Sequence, residues 1–98
     1  MKAVFEKEAL EEYIDAAHYS EKRFGLGTEF VNAVQEAIDM ITSDPLRFQQ
    51  VGLSVHLFRM KRFPFYLFYH HLAGEESVTI YSVAHHSRKP DYWRKRIK

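Results

Sequence analysis

The stretch "VAHHSRKPDYWRKR", residues 83–96, holds two histidines, a serine, three arginines, two lysines, a tyrosine and a tryptophan. Folding does not require that density of basic and ring-bearing polar groups. Arginine suits bidentate contacts to phosphate, and tyrosine and tryptophan stack on bases. Histidine titrates near neutrality and serves as a general acid or base. Such residues suit metal-free RNA cleavage. A base takes the 2′-hydroxyl proton, cations stabilise the crowded phosphate, and an acid protonates the leaving oxygen. His86, Arg88 and Tyr92 would supply part of that kit, with Arg94 as a further phosphate contact. The plainer reading is a basic amphipathic tail with Trp93 as its packing anchor, and for Trp93 itself packing is favoured.

A second group lies upstream. "SVHLFRMKRF", residues 54–63, alternates, so Phe58 and Met60 point one way and Leu57, Arg59 and Lys61 the other. If Phe58 and Met60 face a helical layer, Arg59 and Lys61 stand on the open face of the sheet. Exposed strand faces are commonly polar and basic residues guard edges. The pair therefore joins the kit, as phosphate contacts with Lys61 also catalytic, only if strand and tail meet.

Other chemistries fit poorly. The pairs His70–His71 and His85–His86 are adjacent, and neighbours on a strand point to opposite faces. No thiol or carboxylate accompanies them at a ligand spacing, so neither a metal nor another cofactor is expected. Ser87 has no glycine-flanked elbow, and there is no glycine-rich phosphate loop. The chain has no cysteine, which removes disulfides and thiolate sites.

The elements that must position these residues are readable in outline. "KAVF", 2–5, reads as a first strand. From Glu6 to Phe24, Leu10, Tyr13, Ile14, Ala17 and Phe24 recur at helical spacing, with Glu8, Glu11, Glu12 and Asp15 mostly opposite. Gly25 can end this helix in the left-handed conformation, and Thr28 is a candidate cap for a second helix running to about Thr42. "SDP" at 43–45 stops it. Strands follow at 54–63, at Phe65–His71 and at 78–85, with "AGEES" as a turn. Pro90 to Ile97 can form a short C-terminal helix. The order β-α-α-β-β-β implies an α+β domain spanning 1–98. In it a helical hairpin packs on one face of an antiparallel sheet. Tyr66, Phe68 and His70 would share one face of the middle strand and Phe65, Leu67 and Tyr69 the other.

Net charge is +1, but it is unevenly distributed. Residues 1–54 carry five Lys/Arg against ten Asp/Glu, a balance of −5; residues 55–98 carry nine against three, a balance of +6. That asymmetry suggests a polyanionic partner, unless the acidic helices neutralise the basic strands. No signal peptide or membrane span is read, so a cytoplasmic location and no membrane partner are expected.

"GLGTEFVNAVQEAIDMITSDPLRF", "RMKRFPFYLFYH" and "VTIYSVAHHSRKPDYW" together resemble the RelE/ParE superfamily of type II toxin–antitoxin toxins, also known as plasmid stabilisation proteins. The resemblance covers nearly the whole chain. It implies a growth-inhibiting toxin neutralised by a cognate antitoxin that wraps it. RelE-like members cleave mRNA in the ribosomal A site without metal, whereas ParE-like members inhibit DNA gyrase. A degenerate member would only bind its antitoxin. Carried over by motif, Arg59 and Lys61 match the nuclease branch's strand pair and Tyr92 its C-terminal tyrosine. His86 falls where an arginine follows the last strand, with Arg88 two residues later. The arginine of the next strand is replaced by Tyr66.

Overall fold

The computed structural model describes residues 1–88 and 92–96, and within 92–96 the side chains of Tyr92, Arg94 and Arg96. The packing expected of Trp93, and the Pro90 and Ile97 ends of the expected C-terminal helix, lie outside the described residues. Strand β1 (Lys2–Phe5) leads into helices α1 (Lys7–Phe24) and α2 (Gly27–Ser43). Strands β2 (Gln49–Gly52), β3 (Val55–Arg59), β4 (Phe65–His70) and β5 (Ser77–His85) follow, then a 3₁₀ turn, Tyr92–Arg96.

The helical hairpin forms where the periodicity places it. Glu6 caps α1, its Oε1 accepting from the amides of Glu8 and Ala9 at 2.8 and 3.1 Å. Gly25 closes the helix at φ 68°, in the left-handed region that glycine enters without a Cβ clash. Thr28 is not the cap of α2. The helix starts at Gly27 with Leu26 as its cap residue, which makes no side-chain hydrogen bond. The Gly27 amide instead donates to Glu21 Oε1 at 3.0 Å.

The sheet has five strands in the order β1-β5-β4-β3-β2. Two features were not legible. Strand β2 has no counterpart in the sequence pattern, because four residues beginning with two exposed glutamines carry no alternation. β1 pairs with β5 in parallel, Lys2 opposite Ser77 and Phe5 opposite Ile80, so the sheet is mixed; the other three pairings are antiparallel.

The helices cover one face. Phe30, Val34, Ala37 and Ile41 of α2 and Ala9 and Ala16 of α1 pack on Met60, Phe65, Leu67, Tyr69, Val78, Ile80 and Val83. Phe30 meets Phe63 and Phe65 edge-on, each at 5.3 Å between centroids. The Tyr69 hydroxyl donates to Pro45 O at 2.5 Å, and burial pushes its phenol well above the usual range. A smaller cluster of Val55, Leu57, Phe68 and Ala84 occupies the opposite face, with Val51, Tyr66 and Tyr92 packed against it. The two faces of β4 divide as the alternation predicts. On β5 a register shift opposite Phe68 and Tyr69 changes the phase. Val78 and Ile80 face the helices, and so does Val83, while Ala84 joins the opposite cluster.

Candidate functional site: the open sheet face and the C-terminal arm

β1 flanks β5 only as far as Ile80, whose carbonyl accepts from the Glu6 amide at 2.9 Å. Beyond that point β5 runs on to His85 and would leave edge groups unpaired. Side chains fill the gap. Glu12 reaches from α1 and accepts the Val83 amide on Oε1 at 3.0 Å. Arg96 donates Nη1 to the Tyr81 carbonyl and to Glu12 Oε1, each at 2.9 Å, and Nη2 to Glu12 Oε2 at 3.0 Å. Arg96 Nε lies 3.1 Å from Glu8 Oε2.

The Tyr92 hydroxyl donates to Glu12 Oε2 at 2.8 Å and also contacts the Ser82 hydroxyl. The Arg88 guanidinium lies 4.1 Å from the centre of the Tyr92 ring, and its Nη1 is 3.6 Å from Glu12 Oε2. Arg94 reaches towards the far edge strand, with Nη2 3.4 Å from Val51 O. Among the described residues after β5, here called the arm, Arg88, Tyr92 and Arg96 are thus gathered on Glu12 and Arg94 reaches β2.

Burial raises the Glu12 carboxyl, but the hydrogen bonds from Arg96, Tyr92 and Val83 and the Arg96 charge outweigh it, and the net shift is downward. Burial also pushes the Tyr92 phenol up to about 12, the Ser82 contact opposing and the Glu12 carboxylate reinforcing the rise. The Glu12 hydrogen bond and charge hold the Arg96 guanidinium above its ordinary value despite burial.

The expected site residues separate into three places. Arg59 stands at the end of β3 opposite Tyr66, its guanidinium 5.6 Å from that ring and its Nη1 donating to Gln49 Oε1 at 2.7 Å. His86 lies on the other side of Tyr66, ring centres 6.4 Å apart, and touches His85 at 4.5 Å. Arg59, Tyr66 and His86 therefore form one row. Arg88 and Tyr92 belong to the Glu12 cluster. Lys61 does not share the open face with Arg59, because β3 ends at Arg59. Lys61 instead lines a groove beside α2, with Ala37, Met40, Phe58 and Met60.

Tyr92 packs on the same face as this row, but its hydroxyl is directed elsewhere. Ser82 pairs with Phe68 and Phe68 with Leu57, so the hydroxyl's anchor sits two strands and two residues from Arg59. That is roughly 12 Å by ladder spacing. Glu12, the centre of the arm cluster, is in the sequence one of four acids mostly opposite the apolar stripe of α1. Its partner Arg96 lies 84 positions away, and helical periodicity carries no sign of it.

The charge asymmetry is only partly neutralised. Among the described residues, the ion pairs join Glu8 and Glu12 to Arg88 and Arg96, and none reaches Arg59, Lys61 or Arg62. No helix among the described residues is long and apolar enough to cross a membrane.

The comparisons follow this architecture. A chain of the chromosomal ParDE toxin–antitoxin system from P. aeruginosa superposes with a TM-score of 0.64, covering 87% of this chain and 95% of that one. The two are 12% identical, so this likeness establishes the fold. No match was found among curated proteins. The family model for the ParE toxin of the type II toxin–antitoxin system parDE matches residues 3–90. The α+β fold is the one expected of the RelE/ParE superfamily, and the chain belongs to the ParE toxin family of type II toxin–antitoxin systems.

Proposed function

We propose that this chain is the toxin of a two-component module, silenced by a cognate ParD-type antitoxin, and that it arrests growth by binding DNA gyrase. The reading rests on the family match and on the commitment of Tyr92. Metal-free RNA cleavage needs an acid and a base within hydrogen-bond reach of one phosphate, each with a pKa near the working pH. A tyrosine pushed up to about 12 and already donating to Glu12 is a poor proton donor at neutral pH. Tyr66 stands where the nuclease branch has an arginine, which removes a charge that would stabilise the phosphate. Lys61 lies past the end of β3, in a groove beside α2. What remains together, Arg59, Tyr66 and His86, is suited to holding a partner through charge and ring contacts.

The test is inducible expression without antitoxin, with separate pulse labels for DNA and protein synthesis. DNA synthesis should stop first, and His86→Ala and Lys61→Ala should remain toxic. If protein synthesis stops first and either variant relieves it, the chain is a ribosome-dependent nuclease. No growth effect at all would mark a chain that only binds its antitoxin.

A further inference from the structure

We propose that the outer edge of β1 is a dimerisation surface, and that its occupant is β1 of a second copy of this chain, running antiparallel. The inference stands on the geometry of the edge and is independent of the gyrase reading.

The phase of β1 is fixed at both ends. The Lys2 amide donates to Glu76 O at 3.1 Å and the Glu6 amide to Ile80 O at 2.9 Å. In a parallel ladder, alternate residues turn both backbone groups to the same neighbour. Lys2, Val4 and Glu6 therefore face β5, and the amides and carbonyls of Ala3 and Phe5 point away from it. No hydrogen bond among the described residues reaches those outward groups.

The rest of the sheet's rim is closed. Beyond Ile80 the edge of β5 is taken by Glu12 and Arg96. The edge of β2 is broken by a register shift between Gln50 and Gly52. Gln50 Nε2 and Arg94 Nη2 reach the carbonyls of Gly52 and Val51 there. Shifts and covers of this kind keep a foreign strand off. Among the described residues β1 carries neither.

The free groups match a copy of themselves. Ala3 and Phe5 lie symmetrically about Val4. A two-fold axis through Val4, perpendicular to the sheet, sets Ala3 of each copy opposite Phe5 of the other. Each such pair exchanges both of its hydrogen bonds, which uses every free group on the edge. On the helix-covered face the small Ala3 side chain then meets the Phe5 ring, which already stacks on Tyr13 at 5.4 Å. On the open face Val4, β-branched and 46% exposed, meets its own copy at the close, non-hydrogen-bonded position. Lys2 falls opposite Glu6 of the second copy, and opposite charges favour this register. A short strand that opens on a lysine ordinarily discourages edge pairing. In this register the same lysine finds a carboxylate. The two sheets join into one, with the helices of both copies on one side and both open faces on the other.

The chain has no cysteine, so a single introduced thiol is an unambiguous probe. Across the axis the two Val4 Cα atoms lie about 4.5 Å apart, within disulfide reach. The two Lys2 Cα atoms lie more than about 10 Å apart. Full-length Val4→Cys should cross-link to a dimer on mild oxidation at least about tenfold faster than Lys2→Cys. In sedimentation velocity the wild type should pass from monomer to dimer as concentration rises. Ala3→Pro removes only an outward amide, and Val4→Lys sets like charges across the axis. Each should raise the dimer dissociation constant about tenfold. Amide protection at Ala3 and Phe5 should rise with concentration, while protection from Phe30 to Ile41 should hold in every variant.

A chain that stays monomeric at every concentration overturns the proposal, and so does equal cross-linking at the two positions. A dimer that both variants leave intact forms through another surface and defeats it too. If Ala3 and Phe5 gain protection only when antitoxin is added to a monomeric chain, the edge belongs to the antitoxin and the second copy is the wrong occupant. Should Ala3→Pro and Val4→Lys fail to fold, Lys2→Glu decides, since that exposed side chain leaves the core untouched. A dimer weakened by it supports the register, and an unchanged dimer rejects it.

Discussion

Glu12 lies on the helix face opposite the apolar stripe, yet it accepts from three residues, one on β5 and two on the arm. Its usefulness depends on its charge. In the folded chain its carboxyl titrates below the ordinary value of 4.5, because the favourable hydrogen bonds outweigh burial. The folded state thus binds that proton less readily than the unfolded state. The resulting stabilisation is complete above the ordinary value and is lost as pH falls through the lower folded value. Urea unfolding between pH 7 and pH 3 should show wild type losing more stability than Glu12→Gln over the acid end. Parallel pH profiles for the two would show that the carboxylate contributes no such linkage. Tyr92 titrates at the other extreme and stays protonated throughout this window.

The helices, β1, β4 and β5 were legible because each carries a period or a boundary residue strong enough to survive tertiary context. Gly25 is an example: the left-handed φ of 68° follows from a glycine placed after the last apolar position of α1. Thr28 misled because capping chemistry is a preference, and here the chain enters α2 at Gly27 with Glu21 holding its amide. A Cβ on Gly27 would sit 2.8 Å from Glu21 Cβ and 2.9 Å from its Oε1, so the requirement there is close approach. Gly27→Ala should destabilise by about 1–3 kcal/mol, since Glu21 must shift and its bond to the amide is strained. Thr28→Ala should stay within about 0.5 kcal/mol. Chemical denaturation of both measures the contrast, and a larger loss at Thr28 would restore it as the cap. Arg59, His86 and Tyr92 can be singled out as candidates from residue type and spacing. Its grouping was not, because Lys61 falls past a strand end that Pro64 and the turn impose, and because the Glu12–Arg96 contact is purely long-range.

Across the molecule, charge is sorted by partner. The helix carboxylates Glu8 and Glu12 are spent on the arm, while Arg59, Lys61 and Arg62 have no ion pair among the described residues. The positive field of the second half therefore remains outward-facing at the β3 end of the sheet, where it can steer an acidic partner. The ordering of the strands has a consequence in time. Lys2 pairs with Ser77 and Phe5 with Ile80, so the first strand made must wait for the last. At roughly 5–20 residues per second, synthesis of the intervening chain takes roughly 4–15 s. Chains arrested on the ribosome before Ser77 should show unprotected amides at Ala3 to Phe5, with α1 and α2 already formed. Protection there in such chains would mean that β1 finds another partner first. Until Ser77 to Ile80 have left the ribosome, β1 has no β5 to pair with, and the ribosome handles a sheet that still lacks its seam.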